Sequence, residues 1–134
     1  MGDVDMGRAM RSAWRALSLI DGMMEGPSAF AADDEPRAFW VAGKQVANLY
    51  DRERLELRLT KPVIRQHRDR LRAEPRVELR RNPSDWLTVQ VRSAPDVGLA
   101  AELGGLAADA HRSSTHDGPP VPEGADMARR RRFH

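Results

Sequence analysis

The chain has 134 residues, about one domain by the usual size relation, with 40% hydrophobic residues, 31% charged residues and a net charge of +2. It contains no cysteine, which excludes disulfides, thiolate metal sites, iron–sulfur clusters and cysteine nucleophiles. No apolar run approaches the ~18 residues that span a bilayer, and Asp3 and Asp5 stand where a signal peptide would be basic, so a soluble, cytoplasmic protein is expected.

Residues 4–24 read as an amphipathic helix, because Met6, Met10, Ala13, Leu17, Ile20 and Met24 recur at spacings of three and four, with Trp14 beside the stripe. Gly22 and Gly26-Pro27 end it. Such a stripe packs on the domain's own sheet. The alternative is a seam for a second copy or a protein partner through Met6, Met10, Leu17 and Met24, since methionine-rich faces adapt to several surfaces. The chain therefore divides into an N-terminal helix in 1–25, a Pro/Gly/acid-rich linker at 26–37, an α+β domain at 38–112 and a disordered basic tail at 113–134.

Strands are expected at 38–42 and 45–51, joined by a hairpin turn at Gly43-Lys44, and a third at 54–59, where Leu55, Leu57 and Leu59 alternate with Glu56 and Arg58. Thr60 reads as the N-cap of a helix with Pro62 in its first turn, one narrow apolar stripe at Ile64 and Leu71, and an arginine-rich solvated face ending at Pro75. A fourth strand follows at 76–81, a turn at Asn82–Asp85, and a fifth strand at 86–92, with Leu87, Val89 and Val91 on one face. Ser93 and Asp96 form a short-armed capping box. The last helix buries Val97, Ala100, Leu103, Leu106 and Ala110, although Gly104-Gly105 weakens its interior. Adjacent strands separated by helices predict an α+β fold: a roughly five-stranded antiparallel sheet with about three helices, mainly on one face.

Little in the chain points to catalysis. His67, His111, His116 and His134 lack metal-ligand spacing, and no dinucleotide, phosphate-loop or hydrolase motif occurs. Asp33-Asp34-Glu35 is a flexible acid run, and the terminal Arg129–Arg132 run binds polyanions only without specificity. No metal or other cofactor is implied. Residues 38–112 carry a net charge of +4, and all cations but Lys44 and Lys61 are arginines. With the leucines and valines turned inward, Arg58, Arg76, Arg80 and Arg92 share the outer face of the sheet with Glu56 and Glu78. Two readings compete for that face. Arginine forks could grip phosphates or carboxylates, with Trp86 and Trp40 as aromatic companions. Cross-strand Arg–Glu pairing accounts for the same pattern without a ligand.

The stretch from Phe39 to Val97, "FWVAGKQVANLYDRERLELRLTKPVIRQHRDRLRAEPRVELRRNPSDWLTVQVRSAPDV", resembles the small luciferase-like domain family. The best-matching positions are Leu57, Leu59, Pro62, Arg65, Leu71, Pro75, Val77, Trp86 and Val89, and the likeness covers roughly 39–110. More distantly the chain is similar to the double-wing architecture of MmcQ/YjbR-like proteins. The resemblance implies a strand pair, a further strand, a Pro-initiated helix, a Trp-led strand and a final helix; it carries over no light-emitting chemistry. Many members have His-x-His where this chain has Asn48-Leu49-Tyr50, and neither Asn48 nor Tyr50 readily substitutes for a histidine that holds a metal or moves a proton, so the resemblance implies no such role at that place.

The leading expectation is thus a non-catalytic binding or protein-interaction domain of the luciferase-like family. Two alternatives stand beside it. One is an enzyme or small-ligand protein with a pocket between the sheet and the first helix, lined by Met10, Trp14, Trp40 and Trp86. The other is anion or nucleic-acid binding through the arginine-bearing sheet face.

Overall fold

In the computed structural model, which describes residues 5–117, the alternating segments pair into one antiparallel sheet. Its strands are β1 (Met24–Gly26), β2 (Ala38–Val41), β3 (Lys44–Asp51), β4 (Arg54–Arg58), β5 (Val77–Leu79) and β6 (Trp86–Gln90), in the spatial order β1-β2-β3-β4-β6-β5. The helices are α1 (Arg8–Ser18), α2 (Lys61–Gln66), α3 (Arg68–Ala73) and α4 (Ala94–Asp117). Among the described residues this makes six strands and four helices, an α+β fold close to the expected one. No helix of the described residues is long and apolar enough to cross a membrane. The tail expected from residue 113 begins inside α4, and 118–134 lie outside the described residues.

Register places the apolar positions of neighbouring strands in rows. Leu57 lies between Ala47 and Leu87, and Leu55 between Leu49 and Val89. All six are buried, and the rows pack against Met10, Ala13 and Leu17 of α1 and Ala100, Leu103 and Ala107 of α4. Each fully buried leucine contributes roughly 1.5–3 kcal/mol. The first helix thus belongs to the same core as the sheet.

The structure departs from the sequence reading at four places. The first helix ends at Ser18, because Gly22, at φ +88°, turns the chain back and residues 24–26 pair with β2 instead. Met10 and Leu17 are fully buried and Met6 packs partly against the core, whereas Met24 is exposed on β1. These four therefore do not form one free seam. Second, the β2–β3 turn is Ala42-Gly43, with both residues at positive φ (+52° and +78°), the type I′ sense that suits a two-residue hairpin.

Third, Thr60 does not cap. It sits at φ +87°, and its place is taken by Asp85, whose carboxylate accepts the Lys61 N–H at 2.8 Å while its backbone carbonyl accepts the Thr60 N–H at 3.0 Å. This ties the start of α2 to the β5–β6 turn. Fourth, the expected linker lies on the sheet. Ser28 is buried, donates to Asn48 Oδ1 at 2.6 Å and accepts from Gln45 at 3.2 Å, and the Leu49 N–H donates to the Arg37 carbonyl at 2.7 Å. Residues 27–37 form a strap across part of the face opposite the helices.

Candidate anion-binding groove

The arginines singled out by the sequence are held by acids. Arg80 donates to Glu56 at 2.7 Å and to Thr88 at 2.8 Å, and Glu56 also accepts from Asn48 at 2.6 Å. Asn48, Glu56, Thr88 and Glu78 form one row across four strands, so register itself builds this network. Arg58 faces Asp85 at 3.8 Å, and its Nε is buried without a hydrogen-bond partner. Arg92 faces Glu53 at 3.5 Å.

Arg76 turns away to the start of α4, where it meets Glu74 at 2.8 Å and Asp96 at 3.1 Å. The Arg76 guanidinium holds the Glu74 carboxyl down at about 2, and its own pKa is raised in return, chiefly by Glu74. Burial alone would raise the Asp96 pKa. The Arg92 N–H, the Arg76 guanidinium and Ser93 together outweigh it and hold the carboxyl below its ordinary range. Asp96 is thus the acceptor that reaches back across the start of α4, as the capping-box reading anticipated.

The aromatic companions are separated as well. Trp40 lies on β2 and Trp86 on β6, with β3 and β4 between them, roughly 14 Å at the usual strand spacing. Trp40 donates to the Pro27 carbonyl at 3.0 Å under the strap. Met10 and Trp14 are on the helix side, where the Trp14 ring packs tilted against Phe39 with centroids 4.5 Å apart. The four residues proposed to line one pocket therefore do not converge.

A different set of cations does converge. A groove of about 230 Å³ lies between the α2–α3 pair and the β5–β6 turn, and it is lined by Lys61, Arg65, Arg68, Arg72, Arg80 and Arg81, with Ile64, Leu79 and Trp86 as its apolar wall. No acid lines it. All six cations are exposed, and among the described residues Lys61, Arg65, Arg68, Arg72 and Arg81 form no ion pair or side-chain hydrogen bond. The contrast with the sheet is physical. On the strands, acid and base alternate across the register and neutralise one another. In the groove, like charges line one concavity and no acid lines it with them.

Local structure explains why they gather. Lys61, Arg65, Arg68 and Arg72 are spaced four, three and four residues apart, which returns each to one side of successive helical turns. The opposite side supplies Leu71, fully inside the core, and Val63 against it. Arg70, off this stripe, reaches Glu102 of α4 at 2.6 Å and docks the helix pair. Asp85 fixes the β5–β6 turn against the start of α2, which brings Arg81 and Trp86 to the stripe. The sequence reading treated these arginines as a solvated face; their cationic period of 4-3-4 was the available signal.

Beside the groove the sheet face continues under the strap. Phe30, 62% exposed, stands edge-on to Trp86 with centroids 5.3 Å apart. Past it a cleft of about 460 Å³ is lined by Phe30, Tyr50, Asn48, Asp33, Arg37 and Glu56. Arg54 lies 4.7 Å over the Tyr50 ring. Asp33 is held below the usual carboxylate range by Arg37.

No protein-family model, curated protein or solved structure matches this chain.

Proposed function

We propose that this protein is a small, non-catalytic binding domain of the luciferase-like family, and that its ligand is a polyanion held in the groove between α2–α3 and the β5–β6 turn. The observation that carries the reading is the set of five unpaired cations on one acid-free concavity. Like charges gathered without counter-charges raise the energy of the folded chain, and an anion removes that cost on binding. Guanidinium forks match phosphate and carboxylate oxygens in pairs, and as groups that keep their protons they hold charge rather than transfer it. The family placement rests on the positions quoted above for the resemblance and brings no activity with it.

The test is binding of a short linear polyphosphate to the full chain across a salt series. Five phosphate contacts give a slope of about −3.5 in log K against log salt, or about a 100-fold loss of affinity between 50 and 200 mM. Arg65→Gln/Arg68→Gln/Arg72→Gln reduces the slope to about −1.4. The control Arg8→Gln/Arg11→Gln/Arg15→Gln removes the same charge from the exposed side of α1 and leaves the slope unchanged. Equal effects of the two triple variants would show a general charge effect and sink the groove.

A further inference from the structure

We infer that the polyanion is a single strand of nucleic acid, its phosphates in the basic groove and its bases stacked on Trp86 and Phe30. This deepens the polyanion reading and rests on it. The groove by itself would accept any chain of phosphates. Its border is more selective, because the wall opposite the cations ends in an aromatic pair. Trp86 is a lining residue of the groove, and Phe30 meets it edge-on with centroids 5.3 Å apart.

Phe30 is the notable member. It stands on the strap 27–37 with 62% of its surface in water, while its neighbour Ser28 is buried and fixed to Asn48 at 2.6 Å. A phenyl ring held out to solvent by an anchored backbone is a ready stacking platform, and the ring faces of all bases suit it.

Charge separates the two halves of the site. The groove is lined by cations without acids, so it attracts the backbone of a strand. The cleft on the other side of Phe30 has its acids, Asp33 and Glu56, paired with Arg37 and Arg80, so it offers phosphates no unpaired cation, while the exposed Tyr50 hydroxyl there can bond base edges. Tyr50 is 58% exposed and adds a second ring to this side. A strand therefore has one orientation across the border: phosphates toward α2–α3, bases toward the strap. A duplex cannot use it, because its bases are already stacked and their faces are covered.

The experiment measures fluorescence anisotropy of a labelled short oligothymidylate with the full chain, beside an abasic strand of equal length, a duplex and the linear polyphosphate. The oligothymidylate is expected to bind about tenfold or more tighter than the abasic strand, from stacking of one to two bases. Phe30→Ala removes an exposed ring without opening the core and is expected to weaken oligothymidylate binding about tenfold, leaving polyphosphate binding unchanged. Trp86→Leu is the second variant, expected to act in the same direction. Equal binding of the oligothymidylate and the abasic strand, or a duplex bound as tightly as the single strand, overturns the inference. If polyphosphate binds in that case, the polyanion groove stands and only its assignment to nucleic acid falls. Failure of polyphosphate to bind at all removes both.

Discussion

Replacing Glu56 by Gln is expected to strengthen polyanion binding, although it breaks an ion pair of the sheet face. Arg80 lines the groove, yet its Nη2 is committed to Glu56 Oε2 at 2.7 Å, with the Glu56 side chain only 16% exposed. Glutamine keeps an oxygen for Asn48 and removes the charge that holds Arg80, so a sixth cation becomes available to the ligand. One more phosphate contact steepens the salt slope from about −3.5 to about −4.2, turning the loss between 50 and 200 mM from about 100-fold into about 300-fold. Binding at low salt tightens accordingly, at a stability cost of about 1–2 kcal/mol for the weakened network. The control is Glu102→Gln, which adds the same net charge and frees Arg70, a residue outside the groove. The assay is calorimetric titration with polyphosphate at several salt concentrations, with thermal melts to confirm the fold. An unchanged slope in a folded Glu56→Gln protein, or an equal steepening in the control, would refute the argument that pairing alone keeps Arg80 out of the site.

Two further perturbations probe the scaffold. Gly104→Ala and Gly105→Ala should act with opposite signs in urea denaturation. A Cβ at Gly104 would lie 2.2 Å from Leu17 Cδ2, which is fully buried between α1 and α4, so overpacking of about 1–3 kcal/mol exceeds the gain in helix propensity. A Cβ at Gly105 meets nothing within 4 Å, and alanine there should stabilise by about 0.4–1 kcal/mol. His111 is buried on α4, with Nδ1 donating to the Ala107 carbonyl at 2.8 Å. Burial lowers its pKa, and the positive charge of Arg58 and Lys44 adds to that against the Ala107 bond. The unfolded chain therefore takes up this proton first. The stability due to His111 is complete above about pH 6.5 and is lost below it, by up to about 1.4 kcal/mol per pH unit. His111→Leu should flatten that part of a stability–pH curve, and an unaltered curve would exclude His111 as its source.

The parts of the fold legible in the sequence were those set by local period. Leu55/Leu57/Leu59 and Leu87/Val89/Val91 alternate strictly, and all six are buried. β1 was hidden because Met24 continues the spacing of the α1 stripe, while the event that ends the helix is a single positive φ at Gly22. Thr60 has the identity of a cap, but Asp85, 25 positions on, takes the bond. The candidate site divides in the same way. That Arg80 and Glu56 would neutralise one another follows from alternating charges on adjacent strands, one of the two readings the sequence offered. The basic period of Lys61, Arg65, Arg68 and Arg72 is equally local, and only an emphasis on apolar stripes passes over it. Arg81, Trp86 and Phe30 join it through a turn, a helix start and a strap distant in sequence, contacts that no period encodes.

The most direct test of the groove is to follow the arginine side-chain Nε resonances of the full chain by NMR while adding linear polyphosphate. Arg65, Arg68, Arg72 and Arg81 should shift together and saturate at one affinity, while Arg76 and Arg92, held by Asp96, Glu74 and Glu53, stay in place. Shifts centred on Arg76 and Arg92, with the groove arginines unmoved, would contradict the account and return the site to the arginines first suggested by the sequence.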